Sequence, residues 1–304
     1  MRAIVLGAGA GGGVPQWNCA CAQCRRARAG DPAVPPRTQT ALAVSADGER
    51  WLLLNASPDL RQQILATPAL HPREGPRDSP IAAVLLTGGD VDALGGLLTL
   101  REGQPFALYA DPAVQRVLDA NPVFGVLAHD TVPRRCMPRD RSVDVADAAG
   151  TPLGLAVEAF AVPGKVPLYL EGRDPPAVAC DGSALGVRVT DPRRGRFLVF
   201  MPACADIDAR VRTCLDGADA AFVDGTLYRD DELIRAGLGG KTGRRMGHVS
   251  MTEAVSGFAG CTIGRRIFVH VNNSNPALAA DGPERATLSA AGWTVAEDGL
   301  EIRI

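Results

Sequence analysis

Lysine is nearly missing from this 304-residue chain: Lys165 and Lys241 are the two it has, and arginine supplies the other 30 of the 32 basic side chains. An excess of charge is missing too. The 32 basic residues face 34 acidic ones for a net charge of −2, which argues against a partner such as nucleic acid or an anionic membrane surface. Long unbroken apolar runs do not occur. The longest candidate, residues 81–100, carries Asp90 and Asp92 at its centre, and the apolar residues 3–10 run into Gly11-Gly12-Gly13 and Pro15. Neither a membrane-spanning helix nor an export signal is expected from them. Internal repeats and low-complexity tracts are absent. Eight cysteines are too few for a disulfide framework in a chain of this length, so the expected compartment is the reducing cytoplasm. What remains, 46% hydrophobic and 22% charged, suffices to bury a sizeable core.

What is there reads as α/β. Apolar runs at 2–6, 81–87, 106–110, 153–161, 184–190, 196–201, 220–224 and 267–271 read as strands. Asp47-Gly48 between the runs 39–45 and 50–55 marks a hairpin. Ser57-Pro58 reads as a helix start, with the helix reaching about residue 65. Helical patterns follow at 91–101, 112–120, 207–215 and 283–291, and Ser250-Met251-Thr252-Glu253 is a capping box. Residues 121–150 give no clear pattern. The expectation is one domain over residues 1–304, with large mixed sheets and helices outside them. Two motif matches fail on context. Gly7-x-Gly9-x-x-Gly12 follows a strand, but Pro15 and Asn18-Cys19 stand where a phosphate-binding helix has to begin. These glycines read instead as a loop of close backbone approach. Gly240-Lys241-Thr242 lacks the first glycine of a phosphate loop, whose place is taken by Arg235.

Three groups of residues carry chemistry. Cys19-x-Cys21-x-x-Cys24 puts three thiols within six residues, enough to wrap one soft divalent ion such as zinc. A fourth ligand then has to come from Asn273, Asn275, His270 or another cysteine; the competing reading is three buried free thiols. In Thr87-Gly88-Gly89-Asp90-Val91-Asp92-Ala93, an apolar strand gives way to a helix. Asp90 and Asp92 there either hold a cation or answer the helix dipole. In the C-terminal third, Asp224 ends one apolar strand, His270 ends another, and His248 precedes the capped helix. A His/Asp set at element ends is the material of a metal site. The other two histidines, His71 and His129, read as surface residues.

In this order the motifs resemble the metallo-β-lactamase superfamily, which implies a four-layer αββα sandwich with metals at one edge between the sheets. On that resemblance the segment from Gly88 to Ala93 lines up with an H-x-H-x-D-H motif, Asp224 with a bridging aspartate and His270 with the last histidine ligand. His248 lines up with an acid/base or substrate-contacting histidine. Within the superfamily the chain resembles the coenzyme PQQ synthesis protein B family over nearly its whole length. The resemblance is carried by Gly11-Gly12-Gly13-Val14-Pro15-Gln16-Trp17-Asn18-Cys19, Asn55-Ala56-Ser57-Pro58-Asp59, Leu98-Thr99-Leu100-Arg101-Glu102-Gly103-Gln104, Val162-Pro163-Gly164-Lys165, Met246-Gly247-His248 and His270-Val271-Asn272-Asn273-Ser274-Asn275-Pro276.

That resemblance implies a role in pyrroloquinoline quinone (PQQ) biosynthesis: an Fe(II)- and oxygen-dependent hydroxylation of the tyrosine moiety of a cross-linked Glu–Tyr precursor, beside a structural zinc. It also implies a second reading, binding or transport of PQQ or its precursor without a catalytic metal. The chain departs from the family at one point, where the usual Asp-His reads Asp92-Ala93. The ligand set left is Asp92, Asp224 and His270, with Asp90 or His248. Two histidines and one carboxylate form the oxygenase pattern, which His248, His270 and Asp92 would supply. So few imidazoles disfavour a dinuclear hydrolase. The expected partner is the small-molecule precursor or a PQQ-like compound, with no nucleic acid and no membrane; a homo-oligomer stays open. The precursor carries several carboxylates. Lys241-Thr242-Gly243-Arg244-Arg245 with Lys165 is therefore a candidate carboxylate clamp, its other reading being a solvated basic loop.

Overall fold

A strand covered on both faces needs apolar side chains in both directions, and the strands here have them. In the computed structural model, which describes residues 1–171 and 183–304, the first sheet uses β1 (Arg2–Gly7), β2 (Ala41–Ser45), β3 (Trp51–Leu54), β4 (Ile81–Leu85), β5 (Ala107–Ala110) and β6 (Arg134–Cys136). The second uses β7 (Ser142–Ala146), β8 (Pro152–Ala161), β9 (Leu185–Asp191), β10 (Arg196–Met201), β11 (Ala220–Asp224), β12 (Arg265–Val269) and β13 (Trp293–Val295). Finally β14 (Glu301–Arg303) returns to the first sheet beside β1. The orders are β14-β1-β2-β3-β4-β5-β6 and β13-β12-β11-β10-β9-β8-β7. Strands β3 to β6 run parallel, as do β10 to β13.

The pleat explains the layers. In β3, Leu52 and Leu54 enter a core shared with Val187, Phe200, Phe222 and Ile267 of the other sheet. Trp51 and Leu53 point the opposite way, onto Leu60, Leu94, Val114 and Leu118 of the outer helices. On the second sheet Phe222 faces inward, while Ala221 and Val223 meet Val211, Leu215, Ala254 and Leu288 outside. Helix, sheet, sheet, helix is the expected four-layer αββα sandwich. The structure differs from expectation in local detail. The helix after Ser57 spans Leu60–Ala66, and Ser57 does not cap it. Residues 91–101 form a helix only over Val91–Leu94, then a tighter 3-10 stretch over Gly95–Leu100. Gly96 is the reason: a Cβ there would lie 1.9 Å from the Ser57 carbonyl, and its N–H instead donates to Ala56 O at 2.8 Å. Residues 121–150 supply the edge strands β6 and β7, which are short and half exposed and so lack an apolar signature. Gly7 sits where a Cβ would lie 2.1 Å from Gln39 O, the close approach expected of that loop. Among the described residues no helix is long and apolar enough to cross a membrane.

Candidate active site

Parallel neighbours end side by side, and this delivers the site. Asp224 pairs in register with Val269, so Asp224 closes β11 next to the end of β12, and His270 steps out of β12. His270 has φ +57°, a left-handed backbone uncommon for a side-chain-bearing residue. The next residue fastens it: Val271 N donates to Ala8 O and Ala10 N to Val271 O, both at 2.9 Å. The first sheet reaches the same edge through the turn after β4. There Thr87 N donates to Asn55 Oδ1 at 2.8 Å, and Leu185 N of β9 donates to Thr87 O at 3.0 Å. Asp90 and Asp92 follow that turn. His248 arrives on a third segment, after the short helix Gly243–Met246, where Val249 N donates to Cys204 O at 2.6 Å. A cavity of about 380 Å³ opens between these ends, lined by Asp90, Asp92, Lys165, Lys241, His248 and His270 among others. That volume suits a small molecule.

Asp224, His248 and His270 offer ligand atoms within 4.8 Å of one another. The buried Asp224 carboxylate is also hydrogen-bonded through both oxygens. Its Oδ1 accepts from Thr226 N at 3.0 Å and Thr226 Oγ1 at 2.7 Å. Its Oδ2 accepts from Cys204 N at 2.9 Å and lies 2.8 Å from His248 Nδ1. Four such contacts hold it behind His248, and with His248 and His270 it stays in the group whose atoms could hold an ion. Asp92 is the carboxylate that meets an imidazole across the cavity, with Oδ2 2.9 Å from His270 Nε2. Burial works against charge on His270, but Asp92, with Asp224 and Asp90 behind it, holds the ring above its ordinary pKa. For Asp92 burial is outweighed by the His270 contact, and its pKa falls. Burial and the neighbouring Asp92 push Asp90 up. Ala93 also lines the cavity, at the position where the resemblance implies a histidine.

The basic residues divide. Lys165 Nζ donates to Glu171 Oε1 at 2.7 Å, and Lys241 Nζ lies 3.9 Å from Glu171 Oε2. Chiefly through Lys165, Glu171 is held below the ordinary carboxylate range. Both lysines therefore face the cavity and share one carboxylate. Arg244, expected in the clamp, is turned away: its Nη2 lies 3.5 Å from both Asp206 and Glu253, and it does not line the cavity. Arg245 does not line it either; its backbone N–H donates to the capping Thr242 Oγ1 at 3.3 Å.

The thiols do gather. Cys19, Cys21 and Cys24 present their sulfurs within 4.8 Å of one another. Asn273 lies against them, its Nδ2 3.3 Å from Cys24 Sγ and its carbonyl O 3.3 Å from Cys21 Sγ. Burial, with the adjacent thiols, pushes Cys21 up to about 11. Of the three named candidates for a fourth ligand, His270 is committed to the other site, Asn275 donates to Gly225 O at 3.0 Å, and Asn273 lies against the sulfurs. The segment from His270 to Asn273 thus touches both sites. Glu232 holds it from outside: Ser274 Oγ donates to Glu232 Oε1 at 2.6 Å, and burial raises this carboxyl to about 7. Thr226, Glu171 and Glu232 escaped the sequence reading. A lone Thr or Glu has no spacing signal; the scarcity of lysine is the one clue that led near Glu171.

Two sheets face to face, with imidazoles and carboxylates where their strands end together, define a protein of the β-lactamase superfamily, whose domain matches residues 50–271. A diphosphatase of the PhnP family shares this fold at 21% identity, with a TM-score of 0.70 over 99% of this chain and 97% of its own. Within the superfamily, the chain belongs to the coenzyme PQQ synthesis protein B family. It is 54% identical over 303 residues to the Gluconacetobacter diazotrophicus protein of that name, covering 98% of each. It is 51% identical over 305 residues to that of Methylorubrum extorquens, covering 99% of each. The crystal structure of Zn²⁺-bound PqqB from Methylobacterium extorquens, 51% identical, matches with a TM-score of 0.95 over 100% of both chains.

Proposed function

We propose that this chain acts in PQQ biosynthesis as an Fe(II)- and oxygen-dependent hydroxylase of the tyrosine moiety of a cross-linked Glu–Tyr precursor, with zinc at the thiol cluster. The observation that carries the proposal is the convergence of His248, His270 and Asp92 on one cavity, with Asp224 hydrogen-bonded behind His248. Two imidazoles and one carboxylate suit Fe(II) and leave coordination positions open. Bound iron would supply the activation of dioxygen. The chain's own groups hold the ring nitrogens in place, and Lys165 and Lys241 attract the precursor's carboxylates. For the thiols, three soft donors suit zinc, and the Zn²⁺-bound relative supports it. A reducing cytoplasm suits these cysteines, which form no disulfide among the described residues.

A precursor carrier without catalytic metal is the second reading, favoured by Ala93 in the cavity wall. Metal analysis separates the two. After anaerobic incubation with Fe(II) and desalting, one zinc and one iron per chain are expected, with oxygen uptake on adding precursor. One zinc, no iron and tight precursor binding would establish the carrier instead.

The lysine pair makes its own prediction. Lys165→Ala is expected to weaken precursor binding about tenfold, the worth of one charge-assisted hydrogen bond, and Lys241→Ala somewhat less. Both effects should shrink at high salt. Arg244→Ala should bind as the unmodified chain does, because its guanidinium points to Asp206 and Glu253. Calorimetric titration measures all three, and unchanged affinity in both lysine variants would return these residues to the solvated surface.

A further inference from the structure

We propose that Thr226 is a positioning residue: its one hydroxyl sets the orientation of both the His248 and His270 rings and so presents both Nε2 atoms to the cavity. The proposal rests on the reading above, that these imidazoles hold a metal. Thr226 Oγ1 lies 2.7 Å from Asp224 Oδ1, 3.0 Å from His248 Nδ1 and 2.9 Å from His270 Nδ1. An ionised carboxylate only accepts, so the hydroxyl proton goes to Asp224. The amides of Thr226 and Cys204, at 3.0 and 2.9 Å, keep Asp224 in that accepting role.

With its proton committed, the hydroxyl oxygen has only lone pairs left. Each ring must therefore bring an Nδ1–H to it. His248 shares its Nδ1–H with Asp224 Oδ2 at 2.8 Å, and His270 has Thr226 as its Nδ1 partner. Pinned by that edge, each ring turns its Nε2 away from Thr226. His270 Nε2 meets Asp92 at 2.9 Å, and no described residue makes a hydrogen bond with His248 Nε2. The rings stack with centroids 5.2 Å apart and planes 21° from parallel, as two imidazoles hung from one oxygen should. Thr226 is only 5% exposed, so bulk water does not stand in for the hydroxyl.

Thr226→Val keeps the shape and removes the oxygen; Thr226→Ser keeps the oxygen. Long-range proton–nitrogen spectra are tractable because the chain has only 4 histidines. In full-length protein without added cobalt, both rings of the unmodified chain and of Thr226→Ser are expected to carry a proton on Nδ1. Thr226→Val should alter the His270 pattern and bind Co(II) about ten- to a hundredfold more weakly, the usual effect of losing a group that orients a ligand. A Thr226→Val protein with unchanged ring spectra and cobalt affinity would overturn the proposal. So would a ring whose Nδ1 lacks its proton in the unmodified chain, a result that holds even if Thr226→Val does not fold. If the unmodified chain takes up no Co(II) while both Nδ1 protons are present, the metal reading fails and the positioning role stands.

Discussion

Replacing Cys19, Cys21 and Cys24 together by serine is expected to release one equivalent of zinc and lower the Tm by about 5–10 °C. Three thiols packed within 4.8 Å of one another form a stable arrangement as thiolates only around a cation. The cluster also anchors Asn273, whose amide and carbonyl both reach its sulfurs at 3.3 Å. Zinc–thiolate binding carries on the order of 10 kcal/mol in isolated zinc domains. Here the two sheets have cores of their own, so only part of that energy is expressed as stability. At about 2 °C per kcal/mol for a chain of this size, the stated fall corresponds to a few kcal/mol. Elemental analysis with a thermal melt checks both halves. Zinc content unchanged in the triple variant would show that the thiols do not hold it.

His270→Ala is expected to reduce Fe(II) affinity at least about 100-fold while leaving the thiol-bound zinc in place. The substitution takes away one of three proposed ligands and leaves the Asp92 carboxylate facing the cavity without its 2.9 Å partner. Removing groups that merely orient ligands already costs ten- to a hundredfold, so a ligand itself should cost more. Zinc should survive because Asn273 keeps independent supports. Ser274 is tied to Glu232 at 2.6 Å and Asn275 to Gly225 O at 3.0 Å. Iron and zinc are counted in the same sample, which separates loss of one site from loss of the fold. Full retention of iron would move the metal away from His270.

How much could be read in advance depended on how local each determinant was. The capping box Ser250–Glu253 is present as expected because donor and acceptor lie three residues apart in one turn. Pro112–Ala120 and Ala220–Asp224 also appear with the expected bounds, since their apolar period is complete within the segment. Ser57 misled because the helix entry is governed by the distant segment that leads into β2: Asp59 accepts from Gln39 N at 2.9 Å and Gln39 Nε2 at 3.0 Å, and the helix starts after it. Arg244 misled for the same kind of reason. Its neighbours in sequence flank the cavity, but Asp206 and Glu253, from two other elements, draw its charge outward.

By itself the sequence determined the layered α/β architecture, because strand and helix periods and turn residues are local properties of the chain. It also determined that Cys19, Cys21 and Cys24 act together, since six residues span all three. Tertiary structure alone decided how each carboxylate meets an imidazole. Asp92 and Asp224 are alike as residues at element ends. What separates them is that Asp224 is enclosed by Thr226, Cys204 and His248, while Asp92 lies across an open cavity from His270. It alone also gave Thr226 two histidine partners 22 and 44 residues away. A hydroxyl has no period and no fixed spacing to its partners, so only the side-by-side ends of two parallel strands, with the segment that carries His248 folded against them, could bring them to one oxygen.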